Sequence, residues 1–365
     1  APGRRPKALL LWGANPAFSG PDPAAMARAL AEIPFVVSFS SVLDESTLQA
    51  DLVLPDHVFL EAWNEVPPSP SLPRMVVGMA QPALKPLHDT RHSADVVLDL
   101  ARRLGGGVAA ALPWKDHDEV LQTRARALQA AQGSLFGEKE GEGGAAGAAQ
   151  SLEDFRDGLA KKGGWQGAPY SFGEWSRVLR TRSGKLELYS LTLRDALAAA
   201  PAVPGLRQAL GLSAGDDRVY LPHFAARAEI GDPAAFPLRL FTFSTLALGD
   251  GASADQPYLQ EIVAPHLNVA WDAWVELHPS TAARLGISDG DRVWVESPVG
   301  RARVRAKLYQ GVGPEVAAVV LGQGHSALGR YARDKGGNAA LLLPGAPHPL
   351  TGAPLYLTRV KVYAA

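Results

Sequence analysis

The N-terminal part of the chain alternates short apolar runs with polar turns. The first apolar run, 8–12, breaks at the turn 13–16, and Asp22-Pro23 then starts a helix. Two further apolar runs follow at 34–38 and 50–55. This order of strand, helix and strand predicts a parallel α/β unit, and such sheets bind ligands at the carboxyl ends of their strands.

A helical pattern closes this unit. The apolar residues at 96, 97, 100, 101 and 104 fall on one face of a helix predicted over 93–104. Gly105 begins a glycine run, which is typical of a helix C-terminus. Residues 1–110 are therefore predicted to form an α/β domain that resembles a nucleotide-binding domain.

The next segment, 111–232, has a mixed α/β pattern and is predicted to connect two domains. Its glycine-rich stretch predicts a flexible loop near 137–150. Further along, apolar and polar residues alternate over 185–190 after a Ser-Gly turn, which predicts a half-buried strand.

From residue 233 to 365 the pattern becomes one of short alternating strands. A helix predicted over 279–285 ends at Gly286. The predicted strands are 238–243, 273–277, 292–297, 301–308, 315–321 and 356–362. Strands of this length, separated by turn residues, predict a closed β-barrel.

Composition narrows the classes of protein that remain. The length of 365 residues favours two or three domains, and the formal net charge of −1 without a long basic run excludes a nucleic-acid footprint. No apolar stretch approaches the ~20 residues of a membrane helix. The absence of cysteine excludes disulfides, thiolate zinc sites and iron–sulfur clusters held by this chain.

Three groups of segments together resemble the C-terminal half of the molybdopterin oxidoreductase superfamily, the dimethyl sulfoxide reductase-like proteins. They are 12–16 with 38–45 and 50–55, then 183–190, then 276–279 through 286–291 to 322–325. The resemblance covers almost all of the chain. It implies an α/β domain, a connecting segment and a C-terminal double-psi β-barrel that binds the dinucleotide of the cofactor.

The segments 37–40 and 55–63 are most similar to subunits of membrane-bound respiratory complexes. These are the polysulfide and tetrathionate reductases, the menaquinone reductase complex and alternative complex III. The resemblance implies molybdopterin guanine dinucleotide as cofactor, held by hydrogen bonds. The alternative is a cofactor-free scaffold of the menaquinone reductase or alternative complex III type, and an unrelated α/β nucleotide-binding enzyme is a third alternative.

The same resemblance implies the partners. They are an iron–sulfur subunit or upstream domains, and a membrane subunit that reacts with quinone. A periplasmic location, or membrane association through these partners, follows. The iron–sulfur cysteines and the molybdenum-ligating residue of the family's N-terminal half have no counterpart here, so no catalytic residue is predicted on this chain.

In the α/β unit, polar residues at strand ends are the candidate cofactor contacts. Gly13 lets the backbone approach a nucleotide and Asn15 presents an amide, although a plain strand-exit turn fits both. Asp44, with Thr47, is also predicted to cap the next helix, with Glu45 in its first turn. The predicted cofactor-binding residues are Gly13, Asn15, Pro16, Ser38, Ser40 and Asp44.

Many relatives carry a Gln-Asp pair that reads guanine at the end of the second strand. This chain has Ser38-Phe39 there, so the pair that recognises guanine in those relatives is missing at this position.

In the barrel, the loops after two strands supply the remaining candidates. Gly322 and Gly324 permit close backbone contact, and a tight loop with a surface histidine is the alternative interpretation. By resemblance, the predicted cofactor-binding residues are Ser244, Thr245, Gln256, Gln323, His325 and Asn338. No metal site is predicted, because the four-residue spacing of His88 and His92 lacks the glutamate of a zincin motif.

Overall fold

The computed structural model describes residues 6–69, 72, 74–138, 151–199, 217–222, 229–262, 269–345 and 357–365. The chain forms two compact units, one of residues 1–53 and 193–365 and one of residues 54–192. Most of the loop predicted near 137–150 lies outside the described residues. The three domains predicted from the sequence stay a prediction, because compactness alone does not show which segments fold independently.

The first unit begins with a small parallel sheet, as the sequence predicts. Its strands, in spatial order, are β1 (Leu9–Leu11), β2 (Val36–Ser38) and β3 (Leu52–Val53). Its helices are α1 (Pro16–Ser19) and α2 (Pro23–Ala31), and a 3₁₀ turn at Thr47–Gln49 precedes β3. Asp22 caps α2 by accepting a hydrogen bond from the Ala25 amide at 2.9 Å, which explains why the chain turns here.

The second unit is built on a four-stranded antiparallel sheet. Its strands, in spatial order, are β4 (Asn64–Val66), β5 (Val76–Ala80), β7 (Gly164–Gly167) and β6 (Gly133–Leu135). Its helices are α3 (Ser93–Leu104), α4 (Gly106–Ala111), α5 (His117–Ala130), α6 (Leu152–Lys162) and α7 (Trp175–Val178). Val77, Phe155, Leu159 and Trp165 form the centre of its core.

Helix α3 has the predicted bounds but buries only part of the predicted apolar face. Leu98 and Ala101 are buried, whereas Leu100 is exposed and Leu104 is 64% exposed. Of the predicted face, Ala101 is therefore buried and Val96 half-buried, whereas Val97, Leu100 and Leu104 are exposed.

The strand predicted over 185–190 is wrong. No strand forms there, and Leu186 and Leu188 are 74% and 63% exposed. Alternation alone does not make a strand, because the backbone needs a neighbouring strand to complete its hydrogen bonds. Among the described residues this segment has no such neighbour.

The first unit continues with helix α8 (Leu191–Ala199), which begins near the unit boundary, and then with the predicted closed barrel of six strands. The barrel strands are β8 (Leu238–Phe243), β9 (Trp274–Leu277), β10 (Arg292–Glu296), β11 (Arg301–Leu308), β12 (Val316–Val320) and β13 (Arg359–Ala364). They close in the order β10-β11-β9-β12-β8-β13. The pairs β9–β11 and β8–β12 are parallel, and the other pairs are antiparallel.

The barrel core is extensive and mainly aliphatic. Val275, Val293, Val304 and Val319 are fully buried. Three short helices lie in its loops: α9 (Pro257–Glu261), α10 (Pro279–Leu285) and α11 (Gly329–Ala332). Helix α10 ends at Gly286, whose φ of 66° is left-handed, as the sequence predicts.

Across the described residues, none of the helices combines the length and the apolar character needed to span a membrane.

Candidate functional site

Most of the predicted site residues lie in loops where parallel strands end, whereas Gln256 and Asn338 precede short helices. Strands β1 and β2 are parallel neighbours, and their exits carry Gly13 to Pro16 and Ser38 to Ser40. Strands β8 and β12 are also parallel neighbours, and their exits carry Ser244-Thr245 and Gln323 to His325. Parallel strands deliver their carboxyl ends to one edge, so each pair presents two polar loops side by side.

Asn15 is fixed in one orientation by its neighbours. Its Oδ1 accepts hydrogen bonds from the Ser46 amide at 3.1 Å and the Ser46 hydroxyl at 2.7 Å. Its Nδ2 donates to Glu45 Oε2 at 2.8 Å. Pro16, the next residue, is the first of α1. The turn after β1 is therefore tied to the loop after β2.

Glu45 is the residue to which several loops of the site are hydrogen-bonded. Its side chain is only 9% exposed, and its Oε1 accepts hydrogen bonds from the amides of Ser326 at 2.7 Å and Ala327 at 3.1 Å. The Nδ1 atom of His325 lies 3.1 Å from the same oxygen. The sequence interpretation gave Glu45 only a place in a helix turn, because Asn15 is 30 residues from it and its partners on the barrel side are 280 residues away or more.

The carboxylate of Glu45 is held in its ionised form. Burial by itself raises the pKa of this group, but the hydrogen bonds with His325 and Asn15 and the charge of His325 lower it. The balance moves the pKa of Glu45 from 4.5 to about 2.

His325 is a buried link rather than a surface histidine. Its ring stacks on Phe18 with 3.5 Å between ring centroids, and Nε2 lies 3.1 Å from the Gly251 carbonyl oxygen. Both ring nitrogens thus face oxygen acceptors, an arrangement that only a doubly protonated ring satisfies in full. The surface-histidine alternative is wrong, because the side chain is 1% exposed.

Asn338 joins the same contact between α1 and the barrel. Its Nδ2 donates to the Phe18 carbonyl oxygen at 2.9 Å, and its Oδ1 accepts from the Ala340 amide at 2.8 Å. Gln323 is buried and donates to Gln260 Oε1 at 2.6 Å. Both predicted contacts are therefore already hydrogen-bonded within the protein.

Ser38 and Asp44 also have partners inside the protein. The hydroxyl of Ser38 lies 2.9 Å from that of Thr47, and Asp44 Oδ1 accepts a hydrogen bond from the Thr47 amide at 2.7 Å. Asp44 thus caps the 3₁₀ turn, as the sequence predicts for its capping role.

The other predicted residues are more open to solvent. Gly13 is exposed with a φ of 60°, and a Cβ added to it would meet no atom within 4 Å. Ser244 and Gln256 are exposed, while Ser40 and Thr245 are half-buried. These residues present backbone and polar side chains at strand exits, which is the chemistry that binds a nucleotide by hydrogen bonds.

A metal centre formed by this chain has no support in the part that the structure describes. No group of three or more histidine, aspartate and glutamate side chains there has the arrangement of a metal site.

The residues that sequence reasoning missed are Phe18, Glu45, Ser46 and Gly251. A Cβ on Gly251 would come within 2.6 Å of Phe18 and 2.8 Å of His325, so only glycine fits between them. The local pattern around each of these residues is ordinary, so the sequence offers no signal that would have found them.

Comparison with protein families gives one match. Residues 246–360 match the molydopterin dinucleotide binding domain. The matched range contains most of the barrel and its loops, including Gly251, Gln323, His325 and Asn338.

Two curated relatives align over nearly the whole chain. It is 28% identical to the molybdopterin-containing subunit of the arsenate respiratory reductase of Shewanella sp. (strain ANA-3), over 98% of this chain and 44% of that protein. It is 27% identical to the molybdopterin-binding-like subunit of the menaquinone reductase of Nitratidesulfovibrio vulgaris (strain Hildenborough), over 96% of this chain and 40% of that protein. The chain thus spans less than half the length of these relatives.

A solved structure supports the same fold. The acetylene hydratase from Pelobacter acetylenicus superposes with a TM-score of 0.67 at 20% identity, covering 98% of this chain and 44% of that one. Together with the matched dinucleotide-binding domain, these similarities support the molybdopterin oxidoreductase superfamily of dimethyl sulfoxide reductase-like proteins as the family of this chain, over the C-terminal half of those proteins.

Proposed function

We propose that this chain holds a pterin guanine dinucleotide by hydrogen bonds, as the C-terminal part of a molybdopterin-dependent subunit in a respiratory electron-transfer complex. One observation carries the proposal. The exits of two parallel strand pairs, β1–β2 and β8–β12, are joined through the contact between Glu45 and His325. Exits of parallel strands are where α/β proteins bind nucleotides.

The residues present fit such a group. The open backbone at Gly13 and the polar side chains of Ser40, Ser244, Thr245 and Gln256 would hold it. Asn15, Pro16, Ser38, Asp44, Gln323, His325 and Asn338 would instead hold the loops that carry those contacts. When bound, the group supplies the redox chemistry of a molybdenum centre, and this chain's residues bind and orient it.

The barrel is proposed to be of the double-psi type. Its two parallel pairs, β9–β11 and β8–β12, within an otherwise antiparallel closed barrel support this topology.

The setting is proposed from the relatives. The arsenate respiratory reductase and menaquinone reductase names support a respiratory role. An iron–sulfur subunit or upstream domains, and a membrane subunit that reacts with quinone, would then be the partners. A periplasmic or membrane-associated location through those partners follows from the same reasoning.

The test is the cofactor content of the purified natural protein with its native partners. Pterin fluorescence after oxidation, molybdenum by mass spectrometry and guanine released by acid hydrolysis are measured per mole of protein. The proposal expects all three near stoichiometry. Absence of pterin and guanine from the intact complex would overturn it.

A second candidate is a cofactor-free scaffold that docks iron–sulfur and quinone-reactive subunits. It is favoured by the fact that many of the predicted contacts, including Asn15, Gln323, His325 and Asn338, already have hydrogen-bond partners in the protein. The similarity to a subunit named molybdopterin-binding-like supports it as well. The same cofactor assay separates the two candidates.

A further inference from the structure

We infer that Glu45 is a positioning residue that fixes the dinucleotide-holding loops relative to one another. The inference rests on the proposed function and extends it to residues that would not touch the cofactor. Its basis is that loops from distant parts of the sequence meet at this one buried carboxylate.

The first argument is the number and origin of the donors on the carboxylate. Asn15 Nδ2 reaches Oε2 from the turn after β1, while the amides of Ser326 and Ala327 reach Oε1 from the loop after β12. Oxygens of an ionised carboxylate accept several hydrogen bonds at once, and charged acceptors make the strong ones. Glu45 therefore uses both oxygens to bind loops that the sequence separates.

The second argument is that its partners are themselves immobilised. Ser46 fixes the amide of Asn15, so that Nδ2 points at Glu45. His325 is clamped between Phe18 and the Gly251 carbonyl oxygen. A change at Glu45 consequently reaches α1 and the loop that contains Gly251.

The third argument is that the residues bound by Glu45 and His325 lie close along the chain to the open residues. Gly13 lies two residues before Asn15, and Gly249 in the loop after β8 donates its amide to the Thr245 carbonyl oxygen at 2.9 Å. A shift of either loop therefore moves backbone groups proposed to hold the dinucleotide. A misplacement of about 1 Å is enough to weaken a binding site that depends on several aligned hydrogen bonds.

The test compares variants of the full-length protein produced with its partners in a host that makes the cofactor. The variants are Glu45→Gln, His325→Gln and the double variant. Glu296→Gln is the matched control, because it also removes a carboxylate of the same unit that accepts from Tyr363 and Lys361. Pterin and guanine content are measured after gel filtration, and hydrogen exchange is measured at the amides of Ser326 and Ala327.

We expect each single variant to retain no more than about a tenth of the dinucleotide that the wild type retains. The double variant should lose no more than the worse single variant, because the two residues act as one unit. The amides of Ser326 and Ala327 should exchange faster in Glu45→Gln while exchange in strands β9 to β11 stays as in wild type. The control should keep wild-type dinucleotide content.

Other outcomes overturn the inference in distinguishable ways. Wild-type protein without pterin or guanine overturns the proposed function and this inference with it. Wild type that holds the dinucleotide, with Glu45→Gln and His325→Gln holding it equally well, overturns the inference alone. Failure of both single variants to fold, while the control folds, assigns Glu45 a purely structural role and also overturns it.

Discussion

At the scale of single residues, Glu45 gains its properties from burial combined with complete hydrogen bonding. A buried charge without partners would be strongly destabilising, whereas this carboxylate has donors on both oxygens. Because these hydrogen bonds stabilise the ionised form, the pKa of Glu45 is lowered to about 2. Gly251, whose carbonyl oxygen lies next to His325, is restricted sterically instead, because any side chain there would collide with Phe18 and His325.

The lowered pKa of Glu45 predicts an acid-sensitive contribution to stability. Because the folded pKa lies below the ordinary 4.5, the contribution is fully present above about pH 4.5 and is lost as the pH falls toward 2. It amounts to about 3 kcal/mol at most. Urea unfolding at pH 6 and pH 3 should show that Glu45→Gln loses less free energy of unfolding on acidification than wild type does.

The control for this measurement is Glu315→Gln, which removes the same formal charge at an exposed position outside the network. Its loss of stability on acidification should match that of wild type. An identical loss in Glu45→Gln and wild type would contradict the assignment.

Two neighbouring glycines give a matched pair for the steric argument. Both have a positive φ, 106° at Gly251 and 58° at Gly249, but a Cβ on Gly249 would meet no atom within 4 Å. Gly251→Ala should therefore lose about 1–3 kcal/mol more free energy of unfolding than Gly249→Ala, because it adds overpacking to the backbone cost. Equal losses in thermal or urea unfolding would show that the loop relaxes around the new methyl group.

At the scale of elements, helix α3 shows how periodicity predicts a helix more reliably than it predicts which face is buried. Leu100 and Leu104 of the predicted apolar face are exposed, whereas Leu98, which lies outside that face, is buried. The tertiary neighbours of a helix decide which side is covered, and a local pattern does not contain them.

This difference predicts unequal effects of two substitutions within one helix. In the 365-residue chain, Leu104→Gln should change the free energy of unfolding by less than about 0.5 kcal/mol, because its side chain is already in solvent. Leu98→Ala should cost about 2–5 kcal/mol, because it leaves a cavity. Thermal unfolding of both variants is the measurement, and a large loss in Leu104→Gln would mean that this face is covered.

At the scale of the whole molecule, the sequence predicted the barrel well and the second unit poorly. Strand β11 and helix α10 have the predicted bounds, because strict alternation in one and a terminal Gly286 in the other are local signals. The antiparallel sheet β4-β5-β7-β6 was not predicted. Its strands are three to five residues long, and two begin with Gly133 and Gly164, which approach Trp165 and Val77 too closely for a side chain.

For the site as well, local patterns predicted where residues lie along the chain but did not predict their distant partners. The sequence placed Asn15, Gln323 and His325 at strand exits, where the structure has them, and Asn338 after a glycine pair, where it precedes a 3₁₀ helix. It could not show that these four side chains form hydrogen bonds with other residues of the protein. Such contacts join segments from 30 to 320 residues apart, and no local periodicity encodes them.

The separation between Glu45 and His325 also sets an order of events during folding. Joining residues 280 apart closes a loop whose entropic cost is about 5 kcal/mol, so several interactions must form together before the closure is favourable. During synthesis, Glu45 emerges long before any of its barrel donors exist. Until then only Asn15 of the early parallel sheet can donate to this carboxylate, and water must solvate Oε1. The edge that we propose to hold the dinucleotide becomes complete only when the last third of the chain has been made.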